Sequence, residues 1–182
     1  MVSAMSIAML GVASFAVKAQ AEASVMVGGA AMYPSKNIVE NAVNSKDHTT
    51  LVAAVRAAGL VDALSGKGPF TVFAPTKEAV DKLPAGTVAT LVKPENNAML
   101  TRILIYHVVA GKMDESDLKK AIAEGNGKAM LTTLEGEKLI VEEKGGKLEL
   151  IDAKGGKSII TIGDVNQSNG VIQVVDTVLM PK

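Results

Sequence analysis

The chain has 182 residues, which suits one domain with a sizeable core. Its 19 basic and 19 acidic residues cancel to a formal net charge of zero, and aromatic residues make up 3%. That balance gives no electrostatic basis for binding nucleic acid or an anionic membrane, and it leaves no set of rings for stacking bases. Cysteine is absent, which excludes disulfides, thiolate catalysis and thiolate metal sites. Its absence does not place the chain in the cytosol, because an exported domain with a large enough core needs no disulfide.

Residues 4–17 are almost wholly small and apolar, and Ala19-Gln20-Ala21 supplies an A-x-A pattern. Residues 1–21 therefore read as a secretory signal peptide cut before Glu22. Lys18 lies after the apolar run instead of before it, and the run is shorter than the ~20 residues a membrane span needs. Residues 22–36 read as a flexible lead-in, and 37–182 as one folded domain. Ile38, Val39 and Val43 recur at helical spacing. Leu51, Val52 and Val55 do the same, with Gly59 as the stop. Gly68-Pro69 and Ala74-Pro75 bound a short run, residues 70–73, that predicts a buried strand ending at Pro75. Thr76 then caps a helix over 78–83.

A short helix follows over 87–92, and Pro94 fits the first turn of a helix carrying Met99, Leu100, Ile103 and Leu104. Residues 106–109 read as a strand ending at Gly111, and 114–123 as a helix stopped by Gly125. Beyond Lys128 the pattern turns to strands, at 139–141, 147–151, 158–162 and 171–179. Lys144-Gly145-Gly146-Lys147 and Lys154-Gly155-Gly156-Lys157 read as two hairpin turns, since Gly-Gly accepts the positive φ that such turns need. Helices early and strands late make an α+β chain.

Three ordered blocks stand out: Thr71-Val72-Phe73-Ala74-Pro75-Thr76, then Ile105-Tyr106-His107-Val108-Val109, then the run from Asn169-Gly170-Val171 through Val174-Val175-Asp176 to Pro181. Together they resemble the fasciclin (FAS1) family, over nearly the whole chain from Asn37 onward. One departure is Gln173, where the family usually has His. The resemblance implies a wedge of two β-sheets with flanking α-helices. It implies a secreted or periplasmic, non-enzymatic domain without cofactor or metal. Such a domain mediates adhesion or surface interaction with a cell-surface or matrix protein or a glycan. The oligomeric state is left open. The alternative is a periplasmic binding module for a small hydrophobic or saccharide ligand.

The resemblance links Tyr106 and His107 to binding, and Thr71, Phe73, Pro75, Thr76 and Asp176 to the structural motif. On a strand, Tyr106 and His107 point to opposite faces, so one is presented outward while the other packs inward. The other reading is that both polar tips bond backbone groups. Asp176 interrupts the otherwise apolar face formed by Ile172, Val174 and Val178, so its carboxylate needs donors, from backbone N–H groups and the hydroxyl near Thr76.

Other constellations are weaker. His48 and His107 are the only histidines, no HExxH spacing exists, and His48 reads as solvated. Residues 164–170 resemble half of an EF-hand loop, but Asn169 and Val175 stand where Gly and Glu are required. Asn166-Gln167-Ser168 is a formal glycosylation sequon. Glu135/Glu137 and Glu142/Glu143 are paired carboxylates that read as a solvated face.

Overall fold

The computed structural model describes residues 23–182. The signal-peptide reading of 1–21 lies outside the described residues. The first element is a hairpin of β1 (Val25–Val27) and β2 (Ala30–Met32), turning at Gly28-Gly29, whose φ values are +58° and +74°. This corrects the flexible lead-in expected there. Val27 and Met32 are 1% exposed and join the helical core, so apolar burial fixes the hairpin. Asn41 holds it from behind, accepting from the Tyr33 amide and donating to the Tyr33 carbonyl and to Gln167 Oε1.

Helices α1 (Ile38–Ala42), α2 (Thr49–Ala57) and α3 (Val61–Ser65) follow. An Asn37–Glu40 capping box starts α1, and Gly59 at φ +69° lets the chain leave α2. Next is β3 (Phe70–Pro75), and Thr76 caps α4 (Lys77–Asp81) by accepting from the Ala79 amide at 3.1 Å. The strand extends through Pro75. In β3 the odd-numbered amides face β4 (Val108–Ala110), as Phe73 shows by donating to the His107 carbonyl. That strand pairs only with Phe70–Val72, so the N–H missing from Pro75 leaves no gap in the ladder. Between them lie α5 (Thr87–Leu91) and α6 (Asn97–Tyr106), and α7 (Glu115–Glu124) starts on an Asp114–Asp117 box.

Strands β5 (Lys128–Thr132), β6 (Lys138–Lys144), β7 (Lys147–Ile151), β8 (Lys157–Gln167) and β9 (Gly170–Val175) complete the chain. The seven strands from β3 onward run in the order β4-β3-β9-β8-β7-β6-β5, with β3 and β9 parallel and the other pairs antiparallel. β8 pairs first with β7 and then, past register shifts between Ile160 and Val165, with β9. Bulges of this kind bend a strand, and here they split the strands into two limbs that share β8. A bridge between Val109 and Thr133 brings the outer strands of the limbs together.

The wedge encloses one core, in which Phe73, Val141, Leu150 and Val175 meet Leu118 and Ile122 of α7. A second core lies on the other face of β3 and β9, against α1, α2, α3 and α6. Val171–Val175 are buried throughout, as expected for a central strand covered on both faces. The strand ends at Val175, short of the 171–179 expected. Lys144–Lys147 forms the expected two-residue hairpin, with Gly145 and Gly146 at φ +59° and +78°. The second Gly-Gly unit is a wider loop built on Asp152, whose carboxylate accepts from the Lys154, Gly156 and Met180 amides.

Candidate functional site

The first and last sequence blocks lie side by side. Phe70 pairs with Gly170, and the register holds in step to Pro75 and Val175. Asn169 fastens the start of this pair. Its Oδ1 accepts from the Ile38 amide at 3.0 Å, its Nδ2 donates to the Leu64 and Gly66 carbonyls, and its carbonyl accepts from the Phe70 amide. Phe73, in the middle of the pair, is wholly buried inside the wedge.

The third block joins the same centre differently from the expectation. Tyr106 is the last residue of α6, and His107 is its C-cap, so β4 begins only at Val108. The two rings do not alternate across a strand. Both are buried, Tyr106 at 0% and His107 at 3% exposure. This corrects the expectation that one of the two rings is presented outward, because neither ring reaches the surface. The polar tips bond backbone groups instead. His107 Nδ1 donates to the Ile103 carbonyl at 2.8 Å, and Nε2 accepts from the Leu179 amide at 3.0 Å. A carbonyl only accepts and an amide only donates, which fixes the neutral Nδ1–H tautomer. Burial lowers the His107 pKa to about 4, against the opposing pull of the Ile103 carbonyl and of Asp152.

Tyr106 Oη donates to the Lys138 carbonyl at 3.0 Å and accepts from the Ala153 amide at 2.9 Å. Burial pushes its phenol up to about 12. The pair thus ties α6 to β6, to the Asp152 loop and to the C-terminal segment. Tyr106→Phe keeps the ring and loses both bonds; it is expected to lower stability by about 1–2 kcal/mol in denaturant melts. It should also reduce the loss of stability between pH 10 and 12, where the wild-type phenol ionises in the unfolded chain before the folded one.

Thr71 Oγ1 donates to the Gly111 carbonyl and accepts from the Met113 amide, pinning the loop before α7. Gln173 is wholly buried beside it, donating to the Met113 carbonyl and to Asp164 Oδ1 and accepting from the Asp164 amide. Asp164 Oδ1 also accepts from the Glu115 amide, so the EF-hand-like stretch serves a turn. Among the described residues no group of three or more His, Cys, Asp or Glu is placed to hold a metal ion. The Glu135/Glu137 pair is engaged by Arg102 at 2.7 Å to each.

Asp176 follows the strand and sits outside the apolar face assigned to it. Its Oδ1 accepts from the Ile159 amide at 2.9 Å and from the Thr177 and Ser158 hydroxyls; the Thr76 hydroxyl is not among its donors. Thr76 reaches this region through its amide, which donates to the Val175 carbonyl. Burial raises the Asp176 pKa, but these bonds and nearby Lys82 outweigh it and hold the carboxyl below its usual value. Asp176→Ala is expected to cost about 1–2 kcal/mol, read as a lower denaturant midpoint, because the Ile159 amide loses its partner.

His48 is also buried, at 1% exposure, contrary to the solvated position expected. Its Nδ1 lies 3.0 Å from Ser45 Oγ, and among the described residues its Nε2 has no close hydrogen-bond partner; burial lowers its pKa against the opposing pull of the Ala74 backbone.

This geometry, with helices packed against both faces of a bent sheet and a buried parallel pair at its centre, matches known proteins. A model of the fasciclin domain matches residues 46–181. The protein sll1483 of Synechocystis is 44% identical over 160 residues, covering 88% of this chain and 82% of that protein. The immunogenic protein MPB70 of Mycobacterium bovis is 33% identical over 202 aligned positions, covering 99% and 96%. The cell surface glycolipoprotein MPB83 of the same species is 38% identical over 122 residues, covering 67% of this chain and 48% of its own length. Among solved structures, a FAS1 domain pair from the insect cell adhesion molecule fasciclin I superposes with a TM-score of 0.71 at 21% identity. That match covers 81% of this chain and about half (52%) of the two-domain structure, and it shows the fold. The chain belongs to the fasciclin family, with a FAS1 domain matched over residues 46–181.

Proposed function

We propose that the protein is a non-enzymatic surface-interaction module that works outside the cytoplasm, by contact with a cell-surface or matrix protein or glycan. The observation that carries this reading is how the polar groups at the centre of the fold are used. Both ring nitrogens of His107, the Tyr106 hydroxyl, the Gln173 amide and the Asp176 carboxylate are each engaged in internal hydrogen bonds. A general acid or base needs a free lone pair or proton within reach of substrate, and these groups are committed to the frame. The names of relatives point the same way: an immunogenic protein, a cell surface glycolipoprotein and a cell adhesion molecule. No helix among the described residues is long and apolar enough to cross a membrane.

In this reading Tyr106 and His107 shape the contact surface from within and do not touch the partner. The test is saturable binding of fluorescently labelled protein to intact bacterial cells, with unlabelled protein as competitor. Competed binding that is lost on unfolding supports the proposal. Binding that neither saturates nor competes counts against it.

A further inference from the structure

The chain is neutral overall, yet one sheet face gathers positive charge. The inner face of β5, β6, β7 and β8 carries the core that meets α7. The opposite face is open to solvent: Met130 is 70% exposed, and Ile140 and Ile151 are half-buried. Strand register arranges this outer face in rows. Met130, Ile140 and Ile151 lie side by side across three strands, with Lys157 next in line on β8. Lys138 flanks that row on one side, and Lys128, Glu142 and Glu149 form the next row on the other. Beyond them Lys144 faces Lys147 at the tip of the β6–β7 hairpin, which projects past the pairing of both neighbouring strands. Five lysines against two glutamates leave a surplus of three positive charges on this face.

Two like-charged pairs face each other across β6 and β7, Glu142 with Glu149 and Lys144 with Lys147. Like charges directly opposite are unfavourable. The acid pair is relieved from both sides, because Lys128 reaches Glu142 at 3.3 Å and Lys157 reaches Glu149 at 2.8 Å. The bond to Lys157, and to a smaller extent the charge of Lys144, hold the Glu149 carboxyl below its usual value. The lysine pair has no such relief: among the described residues neither Lys144 nor Lys147 takes part in an ion pair. An anion from outside the chain is the counter-charge that this tip lacks.

We propose that this outer face is the contact surface, and that its partner is an acidic protein segment that also carries aliphatic side chains. The assignment rests on the contact function proposed above and names its surface and the chemistry of its partner. Carboxylates of the segment meet Lys144 and Lys147, and its aliphatic groups cover Met130, Ile140 and Ile151. Along β7, Lys147 and Ile151 are about 14 Å apart, the reach of four or five extended residues. An apolar centre with a charged rim is how protein interfaces are built. A polysaccharide would bring anions to the lysines but set hydroxyls against aliphatic groups that offer them no hydrogen bond.

The test adds a short synthetic peptide of glutamates followed by leucine–serine repeats to the protein. Methyl NMR signals of Met130, Ile140 and Ile151 report its binding. Saturable shifts at these methyls are expected, weakened by added salt and lost when glutamine replaces glutamate in the peptide. Lys144 and Lys147 are exposed, so Lys144→Gln combined with Lys147→Gln keeps the fold; it should weaken binding roughly five-fold, the worth of two surface ion pairs. No saturable shift, equal binding by the glutamine peptide or by the double variant, or stronger competition from alginate or phosphatidylglycerol vesicles than from the peptide itself would each overturn the proposal. Binding to intact cells separates this assignment from the contact function. Cells that bind wild type and double variant equally would overturn this face and leave the contact function standing. Wild type that binds the peptide at these methyls but not cells would support the face and count against the contact function.

Discussion

Gly170→Ala is expected to destabilise the protein by about 3–4 kcal/mol, a large share of the usual 5–15 kcal/mol of domain stability. A Cβ at Gly170 would lie 2.0 Å from the Phe70 carbonyl oxygen and 2.9 Å from the Phe70 nitrogen. Those are backbone atoms of the paired strand, which cannot rotate away as a side chain would. The two strands would have to separate at the point where their parallel register begins. The same movement would strain the Asn169 bonds to Ile38, Leu64 and Gly66. Circular dichroism melts of wild type and variant measure the effect. A midpoint within a degree or two of wild type would show that the close approach of β3 and β9 is not needed for stability.

His107→Ala is expected to cost about 3–4 kcal/mol, from a cavity where the imidazole was and from a Leu179 amide and an Ile103 carbonyl left without partners. The loss should release the C-terminal segment first, because Leu179 N–H has its bond to His107 while Met180 keeps Asp152. Hydrogen exchange at Leu179 should therefore accelerate more than exchange in β5 and β6. Equal acceleration everywhere would mean that His107 supports the fold globally and not through this segment.

The sequence was most informative where local chemistry decides structure. Thr76 caps α4 as its position after Ala74-Pro75 predicts, and the 114–123 stretch with Gly125 after it is a helix within a residue at each end. The paired blocks at Thr71–Thr76 and Asn169–Asp176 were legible as strands, although the first runs through Pro75 and the second stops earlier than its apolar run. Val178 and Leu179 are apolar because the tail packs back onto the core, and packing alone does not make a strand.

Tyr106-His107 was misread for a related reason. Ile103-Leu104-Ile105 and Val108-Val109 are equally apolar, and a helix passing into a strand through one residue leaves no break in hydrophobic pattern. The N-terminal hairpin was missed because three-residue strands are too short to show alternation, and only Gly28-Gly29 marked the turn. No local signal marks His48 as buried. Its burial comes from the packing of α1, α2 and the sheet around it, which short-range pattern does not encode.

The central claim is that the Tyr106-His107 pair is an internal fastening. Heteronuclear NMR of the His107 ring nitrogens across pH 3–8 tests it most directly. The account predicts a neutral Nδ1–H tautomer that persists through neutral pH and titrates only near pH 4. Because the unfolded ring takes up a proton near pH 6.5, the folded state binds fewer protons between those values. Stability should then fall as pH drops through that window, by up to about 3 kcal/mol. A His107 ring that titrates near 6.5, or that populates both tautomers at neutral pH, would contradict the account and return the pair to the protein surface.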